Sequence, residues 1–232
     1  MSVVIHWFRR DLRVHDNTAL AEAARAAARV VPVFILEEAF RTGPDVGAAR
    51  LAFLLRSLQT LRKSLARLGY PLVIRRGRSE IELPKLCREL GAGAVFCNRR
   101  YEPHAQARDG RVCRALGALG IEFQSFKDAV VWEDRDILTK TGNPYSMFTP
   151  YAKAWRTRPI PPPQPSLPPA TGRFPNLASD SLPGDPAELG HPLTQTIFTA
   201  GEAAGLKLLD EFLEGPVHRY AEERNLPARA GT

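Results

Sequence analysis

The chain has 232 residues, 44% of them hydrophobic, which suffices for one large domain or for a domain of roughly 130–150 residues with a smaller unit attached. Its formal net charge of +7 permits contact with nucleic acid or an anionic cofactor but identifies neither. The N-terminus does not read as a secretory signal, and no apolar run is long enough to span a membrane. Cys87, Cys97 and Cys113 lack metal-binding or redox spacing, so we expect reduced thiols in a cytoplasmic protein.

Apolar runs and helical patterns alternate along the first 126 residues. The apolar runs predict strands at 3–8, 30–36, 71–75, 94–98 and 121–126. The intervening patterns predict helices at 18–29, 47–68 and 79–90, and a further helix within 103–119. Asn17 or Thr18 is expected to cap the first helix, Gly69 and Gly120 to follow the second and fourth, and Pro84 to offset the third.

This alternation predicts an α/β fold with a doubly wound, Rossmann-like parallel sheet of five strands in the order 3-2-1-4-5. In such sheets a ligand binds outside the carboxyl ends of the strands, where the winding reverses. Here those are the ends of strands one and four, which carry FRRDLR (8–13) and NRRYEPH (98–104). We therefore expect these two charged turns to be neighbours.

The turn after strand one lacks both the GxGxxG and the GxxxxGK[ST] pattern, which disfavours the usual dinucleotide and phosphate-cradling sites. Its three arginines, Arg9, Arg10 and Arg13, are able to pair with Asp11 and Asp16 in a structural turn, or to hold an acidic ligand with the guanidinium left over.

Glu102 and His104 follow strand four, where they would contact a ring-bearing ligand or serve as a helix cap and a surface histidine. His6 and His15 are interpreted as structural. We identify no catalytic or metal-binding residues, because no carboxylate pair or Ser/His/Asp set stands out.

The composition changes in the second part of the chain, where eleven of the 20 prolines lie between Pro159 and Pro192. We predict a first domain at 1–156, a proline-rich linker or wrapping loop at 157–199, and a short helical tail at 200–232. Within the tail, helical periodicity returns at 202–223, and Pro216 is expected to begin a new helix. The tail's apolar residues are expected to be exposed and to make it mobile or self-associating: Leu206, Leu209, Phe212 and Leu213.

Four segments together resemble the DNA photolyase and cryptochrome family. They are WFRRDLRVHDNTAL (7–20), NRRYEPHAQARDG (98–110), GNPYSMFTPYAKAW (142–155) and YAEERNLPARAGT (220–232). They follow the family's order across essentially the whole chain, and NRRYEP is most similar to bacterial cyclobutane-dimer photolyases. The resemblance implies an N-terminal domain that holds a light-harvesting antenna: methenyltetrahydrofolate, an 8-hydroxy-deazaflavin or FMN.

Arg10, Glu102 and His104 match positions near the antenna in this family. Folate-binding members tend to have an Asn-Glu pair where this chain has His104 and Ala105, and deazaflavin-binding members tend to have Asp at the position of Arg100. The resemblance therefore does not choose between the chromophores.

In the family the catalytic FAD lies in a helical C-terminal domain, and the first residues of that domain to contact FAD match Tyr220 and Thr232 of this chain. The resemblance therefore implies that 200–232 is the start of a truncated FAD-binding domain. In the intact protein, the resemblance implies that the antenna excites reduced FAD, which gives an electron to a cyclobutane pyrimidine dimer in damaged DNA. We expect this chain to lack the FAD domain, and with it the pocket for a flipped base, so that it does not repair DNA alone. A cryptochrome-type photoreceptor and a stand-alone chromophore-binding or partner module are the alternatives.

Overall fold

The computed structural model describes residues 3–38, 40, 46–172, 174, 177–226 and 228. Within these residues one sheet of five parallel strands has the order β3-β2-β1-β4-β5. The strands are β1 (Val3–Phe8), β2 (Arg29–Leu36), β3 (Val73–Arg76), β4 (Ala94–Asn98) and β5 (Glu122–Phe126). The predicted doubly wound α/β fold and its strand order are thereby confirmed.

The helices between the strands also agree with the sequence pattern. They are α1 (Thr18–Ala26), α2 (Ala48–Arg67), α3 (Ser79–Leu90) and α4 (Pro103–Gly117). Asn17 caps α1, because its side-chain oxygen accepts a hydrogen bond of 3.1 Å from the backbone N–H of Leu20. Pro84 lies inside α3 without ending it, since buried Leu83 and Leu86 hold the helix against the sheet despite the missing N–H.

The sheet has an apolar core on each face, as its near-continuous apolar strands predict. Alternate residues of a strand point to opposite faces, so Val4 and Phe8 pack beneath α1 and α2 while Ile5 and Trp7 pack beneath α3 and α4. Burial of each large side chain contributes about 1.5–3 kcal/mol to the free energy of unfolding. The two layers fix the strand ends, and therefore the turns that follow them.

All three cysteines are free thiols. Cys87 and Cys97 are buried, and burial raises the pKa of each to about 12, whereas Cys113 is exposed on α4. No described helix combines the length and the apolar character needed to cross a membrane.

The proline-rich stretch packs along the body of the domain. Leu167 is only 3% exposed, and its backbone N–H donates to the carbonyl of Val14. At the free edge of β3, Ile74 exchanges hydrogen bonds with the stretch, donating to Ser179 Oγ at 3.0 Å and accepting from Asp180 N at 2.9 Å. These bonds cover an edge strand that would otherwise present unpaired backbone groups.

Several elements lie beyond β5. Helix α5 (Phe148–Arg156), which the sequence pattern did not indicate, precedes the proline-rich stretch, and a 3₁₀ turn at Pro186–Leu189 lies within it. The tail contains α6 (Glu202–Glu214), a 3₁₀ turn at Pro216–Arg219 and α7 (Tyr220–Glu223), so the helical periodicity and the new start at Pro216 are both found.

The start of α6 is attached to the turn that follows β1. The Glu202 carboxylate accepts hydrogen bonds from the backbone N–H groups of Val14 and His15, at 3.0 and 2.9 Å, and from His15 Nδ1 at 2.8 Å. Gly201 has a φ of +104°, and a Cβ atom there would collide with Thr60 of α2, so only glycine fits this approach. The helix that follows buries none of its side chains.

Candidate functional site

The charged turns after β1 and β4 are neighbours, as the topology predicts. Asn98, the last residue of β4, joins them: its Nδ2 donates to Asp11 Oδ2 at 2.6 Å and to Asn17 Oδ1 at 2.8 Å. Its Oδ1 accepts from the backbone N–H of Ala19 at 2.8 Å. Because Asn98 is 3% exposed, this network fixes the turn rigidly against the end of β4.

The arginines of the first turn pair with acidic residues that are distant in sequence. Arg9 Nη1 donates to both carboxylate oxygens of Asp109 on α4, at 2.8 and 2.6 Å, and Arg13 Nη2 lies 2.9 Å from Asp128 Oδ2. The expected local pairs with Asp11 and Asp16 are therefore wrong for these side chains. The carboxylates of Asp11 and Asp16 instead accept hydrogen bonds from backbone N–H groups. Asp11 accepts from Arg9 at 2.8 Å, and Asp16 accepts from Gln164 at 2.8 Å.

Arg9 belongs to the scaffold of the site. Its guanidinium lies 4.8 Å from the ring centroid of Trp7, and Arg108 lies at the same distance from that ring. The side chains of Arg9 and Asp109 are 6% and 14% exposed. Arg9 therefore joins β1 to α4 from within the protein and is not free to meet a ligand.

Arg10 is the arginine of this turn that faces outward, with a side chain 58% exposed. Its Nη1 lies 3.2 Å from Glu102 Oε1, so two of the residues predicted for the antenna site are in contact. Arg100 binds the same carboxylate, with its Nε 3.1 Å from Glu102 Oε2 and its Nη2 bonded to Oε1. The hydrogen bonds from Arg100, then one with the backbone of Glu102 itself, and the positive charges of Arg100 and Arg10 lower the pKa of Glu102 to about 2.

Arg10 lies near three other arginines as well as its acidic partner Glu102. Partial burial, then the like charges of Arg100, Arg50 and Arg108, lower the pKa of Arg10, although Glu102 opposes this. We call Arg10, Arg50, Arg100 and Arg108 the arginine cluster. They come from the ends of β1 and β4 and from the helices α2 and α4.

The other predicted site residues lie apart from this contact. His104 is exposed in the first turn of α4, where its side chain forms no hydrogen bond or ion pair with any residue that the structure describes. Tyr220 is 44% exposed in the tail, and its ring packs edge-on against Phe212 at a centroid distance of 5.9 Å. Thr232 lies outside the described residues. His15, which binds Glu202, and His6, which is fully buried, lie where structural histidines would.

Three members of the arginine cluster were not identified as site residues from the sequence. Arg50 and Arg108 lie on helices with no local motif around them, and Arg100 was noted only as a departure from a family pattern. The signal available in the sequence is the pair of arginine-containing turns that follow β1 and β4, at the switch point of the sheet.

Two surface depressions lie away from the cluster. One, of about 320 Å³, is lined by Val3, Arg29 and Leu90 near the opposite ends of the strands, and the other, of about 380 Å³, follows α5 from Phe148 to Thr157. Neither includes a residue of the arginine cluster. The candidate site is therefore defined by the arginine cluster at the ends of β1 and β4. There the side chains of Arg10 and Arg100 form ion pairs with Glu102.

Among known proteins, this chain is similar to photolyases over nearly its whole length. It is 35% identical to a deoxyribodipyrimidine photo-lyase of Agrobacterium fabrum and 32% identical to one of Synechococcus, covering 99% of this chain in both cases but 48% and 49% of those proteins. The chain thus spans about half the length of these curated relatives. It is also 34% identical to an uncharacterized 31.6 kDa protein of another Synechococcus strain, covering 100% of this chain and 83% of that protein.

Solved structures give the same result. A bacterial class III photolyase from Agrobacterium tumefaciens superimposes with a TM-score of 0.85 at 33% identity, covering all of this chain and 48% of the photolyase. A cryptochrome from Synechocystis superimposes with a TM-score of 0.79 at 25% identity, covering 97% of this chain and 49% of the cryptochrome. The matched part corresponds to the N-terminal domain of photolyases. The family described as DNA photolyase matches residues 4–169, and the chain therefore belongs to the DNA photolyase family.

Proposed function

We propose that this chain is the light-harvesting N-terminal domain of a deoxyribodipyrimidine photolyase, and that it holds an antenna chromophore beside Arg10, Glu102 and His104. One observation carries the proposal: in a member of this family, a cluster of four arginines lies where the winding of the sheet reverses. That edge is where doubly wound sheets bind their ligands.

The residues present suit the acidic part of such a chromophore. Methenyltetrahydrofolate bears carboxylates and FMN bears a phosphate, and guanidinium groups match both in geometry and in charge. When bound, the chromophore would supply absorption of near-ultraviolet or blue light. The protein's part is to anchor and orient it: Arg10 offers an exposed cation, and the hydrogen bonds of Asn98 keep the turn that carries Arg10 in place.

Repair itself is a proposal for the whole photolyase. There, excitation would pass to FAD, which would act on a pyrimidine dimer in damaged DNA. Of the two residues that the resemblance assigns to FAD, the described part of this chain includes Tyr220 alone, and that residue is exposed. We therefore propose no FAD site within the described residues and expect no light-dependent dimer repair by this chain alone. A cytoplasmic location stays a prediction, consistent with the free cysteines.

The test of the antenna function is the absorption spectrum of the purified chain, before and after incubation with methenyltetrahydrofolate, an 8-hydroxy-deazaflavin or FMN. We expect one of them to remain bound after gel filtration. Arg10→Ala should weaken its affinity about tenfold, because a charge-assisted hydrogen bond is lost. Arg62→Ala, an exposed arginine on α2, is the matched control and should leave binding unchanged. Failure of all three compounds to bind would exclude the antenna function.

A cryptochrome-type photoreceptor is a second candidate, favoured by the superposition on the Synechocystis cryptochrome. Dimer repair by the whole protein in light would exclude signalling as its only role. A stand-alone chromophore-binding module is a third, favoured by the 31.6 kDa relative, of which this chain covers 83%. A stop codon directly after Thr232 in the genome, with expression of the short form, would be its signature.

We also propose that the tail mediates association. The leucines of α6 are about half exposed, namely Leu206, Leu208, Leu209 and Leu213 at 47%, 54%, 50% and 52%. In sedimentation velocity we expect a sedimentation coefficient that rises with protein concentration. Leu209→Gln with Leu213→Gln should reduce this association at least tenfold. Leu119→Gln, 41% exposed beyond α4, is the control, and equal effects of both changes would rule out the tail as the interface.

A further inference from the structure

Glu102 is the carboxylate that pairs with the arginines of the proposed antenna site. Its carboxylate receives Arg10 Nη1 on one side and two donors of Arg100 on the other. Among the described residues, Glu102 is the one carboxylate within hydrogen-bond distance of Arg10. Arg10 is also the more exposed of the two arginines, with 58% of its side chain accessible against 19% for Arg100. A ligand arriving from solvent therefore meets Arg10 first.

One carboxylate does not balance the charge around it. Arg108 is 3.1 Å from Asp109, which also binds Arg9, and 3.9 Å from Glu37, so its acidic partners lie on the interior side of the cluster. Arg10 and Arg100 share the single carboxylate of Glu102, so this outward pair is left with an excess of positive charge that an anion would reduce.

We infer that Glu102 is an internal counter-ion, which an acidic group of the ligand displaces from Arg10 and Arg100, so that the site selects chromophores carrying a carboxylate or a phosphate. This inference rests on the proposed antenna function and names the ligand chemistry that the site requires. Both kinds of acid offer several oxygens to the planar donors of a guanidinium, as the Glu102 carboxylate already does.

Displacement of Glu102 has a cost that sets the strength of binding. The ordinary pKa of a glutamate carboxylate lies well below neutral pH, so Glu102 remains charged at pH 7 after a ligand separates it from Arg10 and Arg100. It then faces the incoming anion as a like charge. Removing the charge of Glu102 should therefore tighten the binding of acidic ligands, which is the opposite of what a direct ligand-binding carboxylate would do.

The experiment compares ligands that differ only in their acidic group. FMN is compared with riboflavin, which lacks the phosphate, and methenyltetrahydrofolate with its dimethyl ester, in which both glutamate carboxylates are masked. In Glu102→Gln we expect affinity for the acidic member of each pair to rise about tenfold and affinity for the member without the acid to stay the same. In Arg10→Ala the preference for the acidic member should fall about tenfold. The pair that responds distinguishes a phosphate ligand from a carboxylate ligand.

Glu80→Gln is the matched control. Glu80 also lies between two arginines near the start of a helix, with Arg78 Nε and Arg111 Nε each 3.0 Å from its Oε1, so this change removes the same charge elsewhere. It should leave the preference unchanged. Glu102 makes no side-chain capping bond to α4, so both Glu102→Gln and a second variant, Glu102→Ala, should fold, which circular dichroism would verify.

The outcomes separate this inference from the proposed function. If only 8-hydroxy-deazaflavin binds, which carries neither a carboxylate nor a phosphate, the inference is overturned and the antenna function stands. The same holds if a ring compound binds but the wild-type chain and Glu102→Gln show the same preference between the members of its pair, or if Glu102→Gln weakens binding. If no ring compound binds, the antenna function fails, and inorganic pyrophosphate measured by calorimetry then decides the inference. Its binding must strengthen in Glu102→Gln and weaken in Arg10→Ala, and any other result would overturn the inference.

Discussion

An Asp109→Ala variant is expected to lose about 3–5 kcal/mol of its free energy of unfolding, because it leaves the buried Arg9 guanidinium without its charge partner. Arg9 and Asp109 are only 6% and 14% exposed, and one Arg9 nitrogen serves both carboxylate oxygens. Two further Arg9 nitrogens, Nε and Nη2, are already buried without a partner among the described residues. Water therefore has little room to replace the lost carboxylate.

Urea denaturation would measure this loss. Adding Arg9→Met to Asp109→Ala should recover part of the stability, because the double variant no longer buries an unpaired charge. The exposed pair Arg219–Glu223, with Arg219 at 59% exposure, supplies the control: Glu223→Ala should cost less than about 1 kcal/mol. A loss in Asp109→Ala no greater than in this control would show that the buried pair does not hold α4 to β1.

A His6→Leu variant is expected to be more stable than the wild-type chain by about 1–3 kcal/mol at pH 7. His6 lies in the centre of β1 with no exposed surface, and neither ring nitrogen has a hydrogen-bond partner among the described residues. Its ring meets Phe8 edge-on, with centroids 4.3 Å apart. Leucine has a similar volume and leaves no polar group unsatisfied in this apolar layer.

The same histidine should make folding sensitive to acid. Burial, opposed by Asp11 and reinforced by Arg9, lowers the pKa of His6 from 6.5 to about 4, so the unfolded chain binds the proton more readily than the folded chain. The free energy of unfolding therefore decreases as the pH falls from about 6.5 to about 4, by on the order of 3 kcal/mol from this group. The destabilisation caused by His6 protonation is absent above about pH 6.5 and reaches its full size below about pH 4.

Urea unfolding between pH 4 and pH 8 would test this dependence. His6→Leu should remove the acid-sensitive component in that window, whereas His218→Leu, at an exposed position in the tail, should leave it intact. Parallel pH curves for His6→Leu and the wild-type chain would show that His6 is not the group responsible.

The sequence pattern was sufficient for the scaffold of the site because its signals are local. Strand periodicity, the Asn17 cap and the glycine after α2 each depend on a few neighbouring residues, and together they placed the ends of β1 and β4 side by side. Contact between Arg10 and Glu102, 92 positions apart, follows from that adjacency. The topology alone therefore predicted where on the sheet the arginine cluster lies.

The partners within the cluster were not predictable in this way. Arg9 and Arg13 bind Asp109 and Asp128 across sequence separations of 100 and 115 residues, although closer aspartates were available. Choice of partner depends on the direction of each side chain after packing, which the spacing of residues does not encode. His6 is a further example, since its hydrophobic neighbours in the strand predict burial but not the absence of every hydrogen-bond partner.

The exposed thiol of Cys113 makes the chain suitable for optical distance measurements without any engineering. The thiolate is the reactive form of cysteine, and burial raises the pKa of Cys87 and Cys97 to about 12, so a maleimide dye at neutral pH would attach to α4 alone. α4 is also the helix that begins at the candidate site. Energy transfer between that dye and a bound chromophore would then measure where on the sheet the chromophore lies.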